Sequence, residues 1–496
     1  MRKLSLSAMH LVLNFGCEFG HTARVATGGL ALFMMMLPIT APAQSTVAVT
    51  TSQNLPSAPV PTQQSVAIPA PPMPVPQTAQ TTPTQPSASN APTLTLQQAQ
   101  ALATRNNPQI SVAHLVALAS HQATREDRSN LWPTAAVNVT GVDAESGTRI
   151  TAGALNNPII YERAAAGASV SQLIYDFGRT SNLIASANLA EKAEDQNAVA
   201  TREQILLAVS QAFYNALQAQ AVVTVAEQTV NERQIVASQI NELFKNKLKS
   251  ELDLSFANVN LAQAKLLLLD AQNSDSAARA TLSMVMGFSN LQNYQLVQDQ
   301  TQPTQPPANI DDLIMTAFAM RPEILALQFQ AQSANKFRVA ERDLLFPNIR
   351  ALGVIGDAPF GNAAVANTWY GAVGANMEIP VFNGFLYTAR AHEARLRAEA
   401  SDERLRDMRN QIARDVRTSW LNANAAYQRL DVTQQLLQQA NLGLSLAKTR
   451  YHMGLSSIVE LSQAQLQQTQ AEISSVQASY DYQLALATLT YETKGL

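Results

Sequence analysis

The spacing of apolar residues changes twice in each half of this chain, from helical to alternating and back. Residues 96–131 carry apolar positions at intervals of three and four, which predicts a helix that stops near Pro133. Residues 135–141 and 166–173 alternate between apolar and small or polar side chains, which predicts two strands. Residues 179–286 contain neither Gly nor Pro, and this predicts very long helices.

The same order of elements then occurs a second time. Residues 96–110 align with residues 310–324 at an offset of 214, and beyond about residue 167 the offset becomes 207. The offset therefore changes by seven residues between about 142 and 162, and we call this change the alignment slip. Because insertions concentrate in exposed loop tips, it predicts a hairpin loop there. The second pair of strands is expected at 349–356 and 370–380.

The sequence therefore divides into a first repeat at 94–290, a linker at 291–309 and a second repeat at 310–496. Residues 1–43 have the basic start, apolar core and small-residue cleavage pattern of a secretory signal peptide. Residues 44–93 hold 11 of the 23 prolines, which predicts a disordered leader of polyproline-II character.

The long helices are expected to pack along a seam and to break once in each repeat. A helix over about residues 179–248 would be about 100 Å long at 1.5 Å per residue. Gly454 suits a left-handed turn in the second repeat, whereas Lys247 stands at that position in the first, which leaves room for a differently built turn. The expected seam residues recur at coiled-coil spacing: Leu206, Val209, Phe213, Ala216, Val223 and Val230.

Composition narrows the class of protein. Only 14% of the 496 residues are charged, against about 25% in a typical soluble protein. The net charge of -3 argues against a nucleic-acid partner, which requires a basic face. No apolar run reaches the roughly 18 residues of a membrane-spanning helix, but this does not exclude membrane contact by strands.

Four strands per chain have about the length that crosses a bilayer at a tilt. Strands in lipid must belong to a closed barrel, and the smallest have eight, so this chain would share a barrel with copies of itself. The alternative is a soluble sandwich with ordinary strand aromatics. The residues expected to form aromatic girdles near the strand ends are Tyr161, Tyr175, Phe177, Trp369, Tyr370, Phe382 and Tyr387.

Features of an enzyme are absent from the sequence. The six histidines are scattered, and there is no Gly-rich phosphate loop, nucleophile elbow or metal-ligand cluster. His114 and His121 are seven residues apart on one predicted helix face, without carboxylate or cysteine partners nearby in the sequence. Cys17, the only cysteine, falls in the signal peptide. We therefore predict no catalytic residue, no metal site and no cofactor.

Three segments resemble the TolC-like outer-membrane efflux proteins, the outer membrane factor family. Residues 94–108 resemble the first helix of that family, and residues 171–179 and 378–384 resemble its two strand-to-helix junctions. The resemblance covers about residues 94–495. It implies a mixed α+β membrane protein, a homotrimer whose 12-stranded β-barrel in the outer-membrane lipid continues as an α-helical barrel through the periplasm. It also implies a passive exit duct for tripartite efflux or type I secretion, working with an inner-membrane pump and a periplasmic adaptor protein.

The resemblance places a gate at the inner end of the tunnel. Asp253 and Tyr451 match positions that could share a closing hydrogen bond, and Glu460 would form a threefold carboxylate ring that attracts cations. Ser456 replaces a basic tethering residue of better-known members and Gln463 replaces an acid, which implies a less tightly held and less negative aperture. The alternative is that these are solvated polar groups at helix ends.

The turns between the long helices resemble the region that adaptors grip. This interpretation competes with a plain solvated turn, and for the whole chain with a periplasmic adaptor-like coiled-coil protein, which would carry one helical hairpin instead of two. The residues at these tips are Lys247, Leu248, Ser250, Gly454, Leu455 and Ser457.

Overall fold

The computed structural model describes residues 92–143, 163–292, 294–298, 304–360 and 368–495. The predicted signal peptide, nearly all of the leader and Tyr161 lie outside the described residues.

Both repeats follow one order of elements, as the sequence predicts. The first contains β1 (Thr93–Leu94), α1 (Leu96–Asn106), α2 (Pro108–Ser129), β2 (Thr134–Val142), β3 (Arg163–Tyr175), α3 (Arg179–Lys245) and α4 (Glu251–Val285). A short strand β4 (Gln295–Leu296) follows. The second contains α5 (Ile310–Met320), α6 (Pro322–Arg342), β5 (Asn348–Phe360), β6 (Trp369–Glu378), α7 (Leu386–His452) and α8 (Ile458–Lys494).

The expected single helix at 96–131 is wrong in one respect, because it is broken between α1 and α2. Asn107 is extended, with ψ 120°, and its side chain accepts a hydrogen bond from the Gln109 amide at 2.9 Å. A residue before proline avoids the helical region, and Pro108 lacks the N–H that would continue the helix. Arg321, with ψ 124°, and Pro322 break the second repeat at the corresponding place.

The part of the chain predicted as linker contains β4, which the sequence pattern did not reveal. Thr93 pairs with Gln295 and Leu94 with Leu296 in a parallel two-stranded ladder. Leu94 and Leu296 are buried in one cluster with Phe213 of α3 and Met286. The start of the first repeat is thereby joined to the segment that follows it.

One four-stranded antiparallel sheet has the order β2-β3-β5-β6. The pairing of β2 with β3 confirms the hairpin expected around the alignment slip, while its connecting residues lie outside the described part. β3 of the first repeat pairs with β5 of the second, so one sheet joins both repeats. Within the described residues, β2 and β6 each have one edge without a strand partner.

The two faces of this sheet differ in chemistry. One face is apolar and bare in the single chain; it includes Val137, Val139, Ile355 and Val373, which is 93% exposed. The opposite face is mixed, with Asn138 and Ser169 beside Leu352 and Val354. Along one cross-strand row of that face, Asn138 pairs with Gly167, Gly167 with Gly356, and Gly356 with Tyr370.

The long helices have the predicted extent. α3 and α7 have 67 residues each, which corresponds to about 100 Å. α3 packs along α4, and α7 along α8, as antiparallel hairpins. Among the described helices, none combines the length and hydropathy needed to cross a membrane.

The predicted seam is correct as far as Ala216 of α3 and wrong beyond that residue. Leu206, Val209, Phe213 and Ala216 are buried, but Val223 and Val230 are only half-buried. Because 3.6 residues per turn drifts against a seven-residue repeat, the buried line moves around the helix. The buried residues farther down are Val225, Ala226, Thr229, Arg233, Ala237 and Ile240.

Both strand-to-helix junctions turn through two consecutive left-handed residues. In the first repeat these are Phe177 and Gly178, with φ of 54° and 95°, and in the second Gly384 and Phe385, with φ of 60° and 66°. The order of Gly and Phe is reversed between the repeats. A left-handed phenylalanine is costly, so the same geometry in both repeats indicates that the turn into each long helix requires it.

Candidate functional site

The turns at the ends of the two helical hairpins have the same backbone geometry, although their sequences differ. Lys247 has φ 60° and Gly454 has φ 72°. In each turn the next amide donates back to a helix carbonyl, Leu248 to Leu243 and Leu455 to Arg450, both at 2.8 Å. These are Schellman turns. The possibility of a differently built first turn is therefore wrong: Lys247 adopts the left-handed conformation that glycine normally supplies.

The predicted tip residues Ser250 and Ser457 begin the returning helices as N-caps. The Ser250 Oγ accepts from the Asp253 amide at 3.2 Å, and the Asp253 carboxylate accepts from the Ser250 amide at 3.1 Å and from its hydroxyl at 2.7 Å. The Ser457 Oγ accepts from the Glu460 amide at 3.4 Å. Each cap satisfies helix N–H groups that have no partner within the helix.

Tyr451 is the largest residue of an apolar cluster that joins all four long helices near the tips. Its side chain is 6% exposed and packs with Ile240 of α3, Ala257 of α4 and Leu461 of α8. Lys249, in the turn of the first hairpin, places its ammonium 4.0 Å from the centre of the Tyr451 ring. That distance is in the range of a cation–π contact, so the first tip is held against the second.

The hydrogen bond expected between Tyr451 and Asp253 is not formed in this chain. The Tyr451 hydroxyl is buried without a hydrogen-bond partner among the described residues, and the Asp253 carboxylate caps α4 instead. Burial raises the pKa of Tyr451 to about 12, and the negative charge of Asp253 contributes to the rise. The charge of Asp253 therefore opposes ionisation of Tyr451, although no hydrogen bond joins the two groups.

Glu460 has a partner that the sequence analysis missed. The Arg450 Nε lies 3.1 Å from the Glu460 carboxylate, and both side chains are about half exposed. An exposed pair of this kind contributes at most about 1 kcal/mol, but it offsets the charge of the expected carboxylate ring. Arg450 immediately precedes Tyr451 in the sequence, and its spacing of ten residues from Glu460 spans the turn.

The other two predicted gate residues occupy different surroundings. The Ser456 hydroxyl is buried without a hydrogen-bond partner in the described part of the chain. Gln463 is exposed and lines a groove of about 630 Å³ between α7 and α8. The structure thus groups Asp253, Tyr451 and Glu460 at the tips and leaves Gln463 on the flank of α8.

The surface of the tips combines exposed leucines with exposed lysines, Lys245 and Lys247. Leu248 is 69% exposed and Leu455 is 65% exposed, and Leu252 and Met453 are exposed beside them. Exposed leucines on both turns give the tips apolar contact area of the kind that a protein partner can cover.

Polar contacts tie the two hairpins together above the tips. The Glu232 carboxylate of α3 lies 3.6 Å from the Lys448 ammonium of α7. The Asn260 amide of α4 donates to the Ser462 hydroxyl of α8 at 2.6 Å. Neither pair was identified in the sequence, because the residues are about 200 positions apart.

A buried ion cluster anchors the opposite end of α8. The Arg321 side chain, before α6, donates to Glu323 at 2.9 Å and to Glu492 near the end of α8. Burial alone would raise the pKa of Glu323, but the hydrogen bond and charge of Arg321 outweigh it and lower that pKa. At Glu492 burial prevails and raises the pKa.

His114 and His121 lie in different surroundings. Both ring nitrogens of His121 face carboxylates, Glu191 at 2.9 Å and Asp195 at 3.2 Å, whereas His114 is exposed. Over the described residues there is no group of three or more His, Cys, Asp or Glu arranged to hold a metal ion.

Comparison with known proteins agrees with this architecture. The sequence model of the family described as outer membrane efflux protein matches residues 99–288 and 313–491, which correspond to the two repeats. The cation efflux system protein CusC of Escherichia coli O6:H1 is 24% identical over 309 residues, covering 58% of this chain and 63% of that protein. This chain therefore aligns with less than two thirds of the length of that relative.

The outer membrane protein TolC of Vibrio cholerae serotype O1 is 24% identical over 413 residues, covering 78% of this chain and 87% of that protein. A crystal structure of CusC superposes with a TM-score of 0.71 at 19% identity, covering 81% of this chain and 92% of that chain. At this identity the superposition shows a shared fold.

Proposed function

The chain belongs to the outer membrane efflux protein family, and we propose that it is the outer-membrane exit duct of a tripartite efflux or type I secretion system. In this proposal three copies close a 12-stranded β-barrel, and their long helices form a tunnel through the periplasm. Substrates would pass passively from an inner-membrane pump and its periplasmic adaptor to the outside.

The observation that supports this proposal most strongly is the four-stranded sheet. It has one bare apolar face and two edges without a strand partner in the described chain. In hydrocarbon each unpaired backbone group costs several kcal/mol, so an open sheet of this kind is stable in a bilayer only when its edges are joined. Three copies would supply twelve strands, within the range of closed membrane barrels.

The helices support the periplasmic part of the proposal. Two helices of about 100 Å, α3 and α7, extend from one end of the sheet, and each is followed by a returning helix of about half that length. Helices of about 100 Å are too long for a globular core but are suited to crossing an aqueous compartment. Two hairpins, instead of one, also favour a duct over the adaptor alternative.

The first test is the assembly and conductance of the full chain. Detergent-extracted protein should have the mass of a trimer by light scattering and should form ion channels in planar bilayers. A monomer that inserts no channels would contradict the proposal.

The second test concerns the gate, and it uses the pair formed by Arg450 and Glu460. We expect divalent cations to block single channels, Glu460→Gln to weaken the block, and Arg450→Gln to strengthen it by freeing the carboxylate. Arg406→Gln, an exposed arginine far up α7 that pairs with Glu403, is the matched control. An unchanged block in both variants would rule out the carboxylate ring while leaving the duct itself untouched.

The third test captures the partner. A photo-crosslinking amino acid at Leu248 or Leu455 should join the chain to a periplasmic adaptor in intact cells, and the identity of that adaptor names the pathway. The same probe at Leu396, an exposed leucine of α7 outside the tips, should give no adaptor product.

A further inference from the structure

The duplication places two equivalent grooves on the helical hairpins. One has a volume of about 310 Å³ and lies between α3 and α4, and the other has about 630 Å³ and lies between α7 and α8. Five lining positions of the two grooves correspond at the offset of 207: Thr229 with Leu436, Arg233 with Ala440, Asn260 with Gln467, Gln263 with Gln470, and Ala264 with Ala471. The two grooves are therefore the same feature of the fold, once in each repeat.

The first groove has a third side within the chain, which α8 supplies. Ser462, Thr469 and Ile473 of α8 complete its lining. Arg233 of α3 contacts the same helix, because its Nη2 donates to the Gln465 carbonyl at 3.0 Å and to the Thr469 hydroxyl at 3.2 Å. The helix equivalent to α8 in the first repeat is α4, and within the described chain α4 does not pack on α7 as α8 packs on α3. The groove between α7 and α8 therefore lacks the helix that closes its counterpart.

The face that α4 would use for this contact is exposed. Gln465 and Thr469 of α8 are buried, and Ile473 and Val476, one and two turns farther along, are half-buried. In α4 the four corresponding residues are exposed, with Leu266 at 59% and Leu269 at 63%. Intervals of three and four residues place them on one helix face, and they are, in order, Asn258, Ala262, Leu266 and Leu269. This row has a partner in the second repeat and, among the described residues, none in the first.

The open groove matches this face of α4 in size and polarity. Leu, Gln, Ala and Gly residues line it, so the groove is uncharged, and the row on α4 is uncharged as well. Where the first repeat has Arg233, the second has Ala440, and a Cβ added to Gly443 would meet no other atom within 4 Å. A projecting side chain such as Leu266 packs into a hole of this kind between the residues of a facing helix.

Charge complementarity continues the match above the groove. Within the chain, the Gln218 amide of α3 donates to the Gln477 carbonyl of α8 at 3.4 Å. The counterparts at the offset of 207 are Ala425 of α7 and Asp270 of α4, and both are exposed. Arg429 lies one turn from Ala425 on the same face of α7; it is 61% exposed, and its ion pair within the chain is 3.9 Å long. Docking α4 on α7 therefore brings an exposed aspartate to an exposed arginine.

We propose that α4 of one copy docks in the groove between α7 and α8 of a second copy, with Ala262 next to Ala440 and Leu266 next to Leu436. Ala262 and Ala440 each lie about 17 Å above the tips, so a rotation about an axis parallel to the helices brings them together without a shift along that axis. The inference rests on the proposed function, in which copies of the chain assemble, and specifies the surfaces that meet. The contact between copies then repeats the contact that α3 and α8 make between the two halves of one chain.

Cysteine crosslinking of the full chain in intact cells tests this contact. In the double variant Ala262→Cys with Ala440→Cys, each copy contributes one cysteine to each of two interfaces. A short bismaleimide should therefore give a covalent trimer on a denaturing gel of boiled samples, whereas either single variant should run as a monomer. The control combines Ala262→Cys with Gln438→Cys, because Gln438 is exposed at the same level but on the opposite face of α7. This control pair should give no covalent trimer.

A second variant tests the space in the groove. Gly443→Trp places a large side chain in the opening that α4 would occupy. It should lower the temperature at which the trimer dissociates in detergent by about 5 °C or more, whereas Gln438→Trp should not.

The proposed contact would be overturned by monomers alone from the pair of Ala262→Cys and Ala440→Cys, by equal crosslinking of the control pair, or by a Gly443→Trp trimer as stable as wild type. Light scattering of the uncrosslinked protein separates this contact from the proposed duct. A trimer mass together with any of these results rejects the docking of α4 alone, whereas a monomer mass rejects the duct as well.

Discussion

Replacing Tyr451 with phenylalanine removes only a hydroxyl group that has no hydrogen-bond partner in the described structure. A buried polar group without a partner costs about 1–3 kcal/mol, and phenylalanine keeps the ring in its cluster and over Lys249. We therefore expect Tyr451→Phe to leave the free energy of unfolding unchanged or to raise it by about 1 kcal/mol. Tyr451→Ala, which empties the space between four helices, should lower it by about 3–5 kcal/mol.

Because this hydroxyl is buried, we predict that the protein loses stability at alkaline pH. The pKa of Tyr451 rises from 10.0 to about 12 on folding because burial opposes the charged phenolate. A raised folded-state pKa contributes stability that is complete below pH 10 and is lost as pH rises to about 12. Two pKa units correspond to roughly 3 kcal/mol. Tyr451→Phe has no phenol to ionise and does not lose this stability. The difference in free energy of unfolding between Tyr451→Phe and wild type should therefore grow by up to that amount between pH 10 and pH 12.

The assay is denaturant unfolding of the detergent-solubilised protein, followed by circular dichroism at pH 7 and at intervals from pH 9 to 12. Tyr491→Phe is the control, because Tyr491 has a similarly raised pKa but donates its hydroxyl to Glu323 at 3.3 Å. Tyr491→Phe should lower the free energy of unfolding at pH 7, whereas Tyr451→Phe should not. A loss of about 1 kcal/mol or more for Tyr451→Phe at pH 7 would refute the reasoning and show that the assembled protein provides a partner for the hydroxyl.

Two further predictions concern the ends of the helices and the sheet. Arg321→Met leaves two buried carboxylates without their cation, and it should lower the free energy of unfolding by about 3–5 kcal/mol at pH 7. The loss should be smaller near pH 4, because those carboxylates become protonated there. An equal loss at both pH values, measured by chemical denaturation, would contradict this account. Gly356→Ala should cost about 1–3 kcal/mol and reduce single-channel conductance, because the new methyl group overlaps the Tyr370 ring and displaces it from the sheet. Gly374→Ala, at a glycine with open space around it, should change neither quantity.

The sequence predicts the order and approximate bounds of the elements because periodicity and the absence of Gly and Pro are local signals. The duplication also located the turns, since Gly454 has its counterpart in Lys247 at the offset of 207. It could not predict that Lys247 adopts a left-handed conformation, because the hydrogen bonds of the Schellman turn, instead of the residue type, determine that geometry.

The candidate site was predictable only as a set of positions. Tyr451 and Asp253 lie near each other as expected, but the contacts that decide their behaviour join residues far apart in the sequence. The Lys249 ammonium over the Tyr451 ring, and Asp253 acting as a capping residue, depend on how the two hairpins pack. The prediction of the seam is wrong beyond Ala216 for a related reason. In a straight helix the buried face shifts relative to a strict seven-residue repeat.

The ring of Tyr370 has a consequence for how the two halves of the chain find their alignment during folding. It starts on β6 and reaches over Gly356 of β5 to Gly167 of β3, so one side chain spans a strand of its own repeat and one of the other. A slip of one residue would turn the ring to the opposite face. A slip of two along β5, in either direction, would set it on Val354 or Ala358, whose side chains occupy the space that glycine leaves open. Only the observed register of the three strands leaves space for the ring. Tyr370 therefore favours the correct pairing between segments almost 200 residues apart.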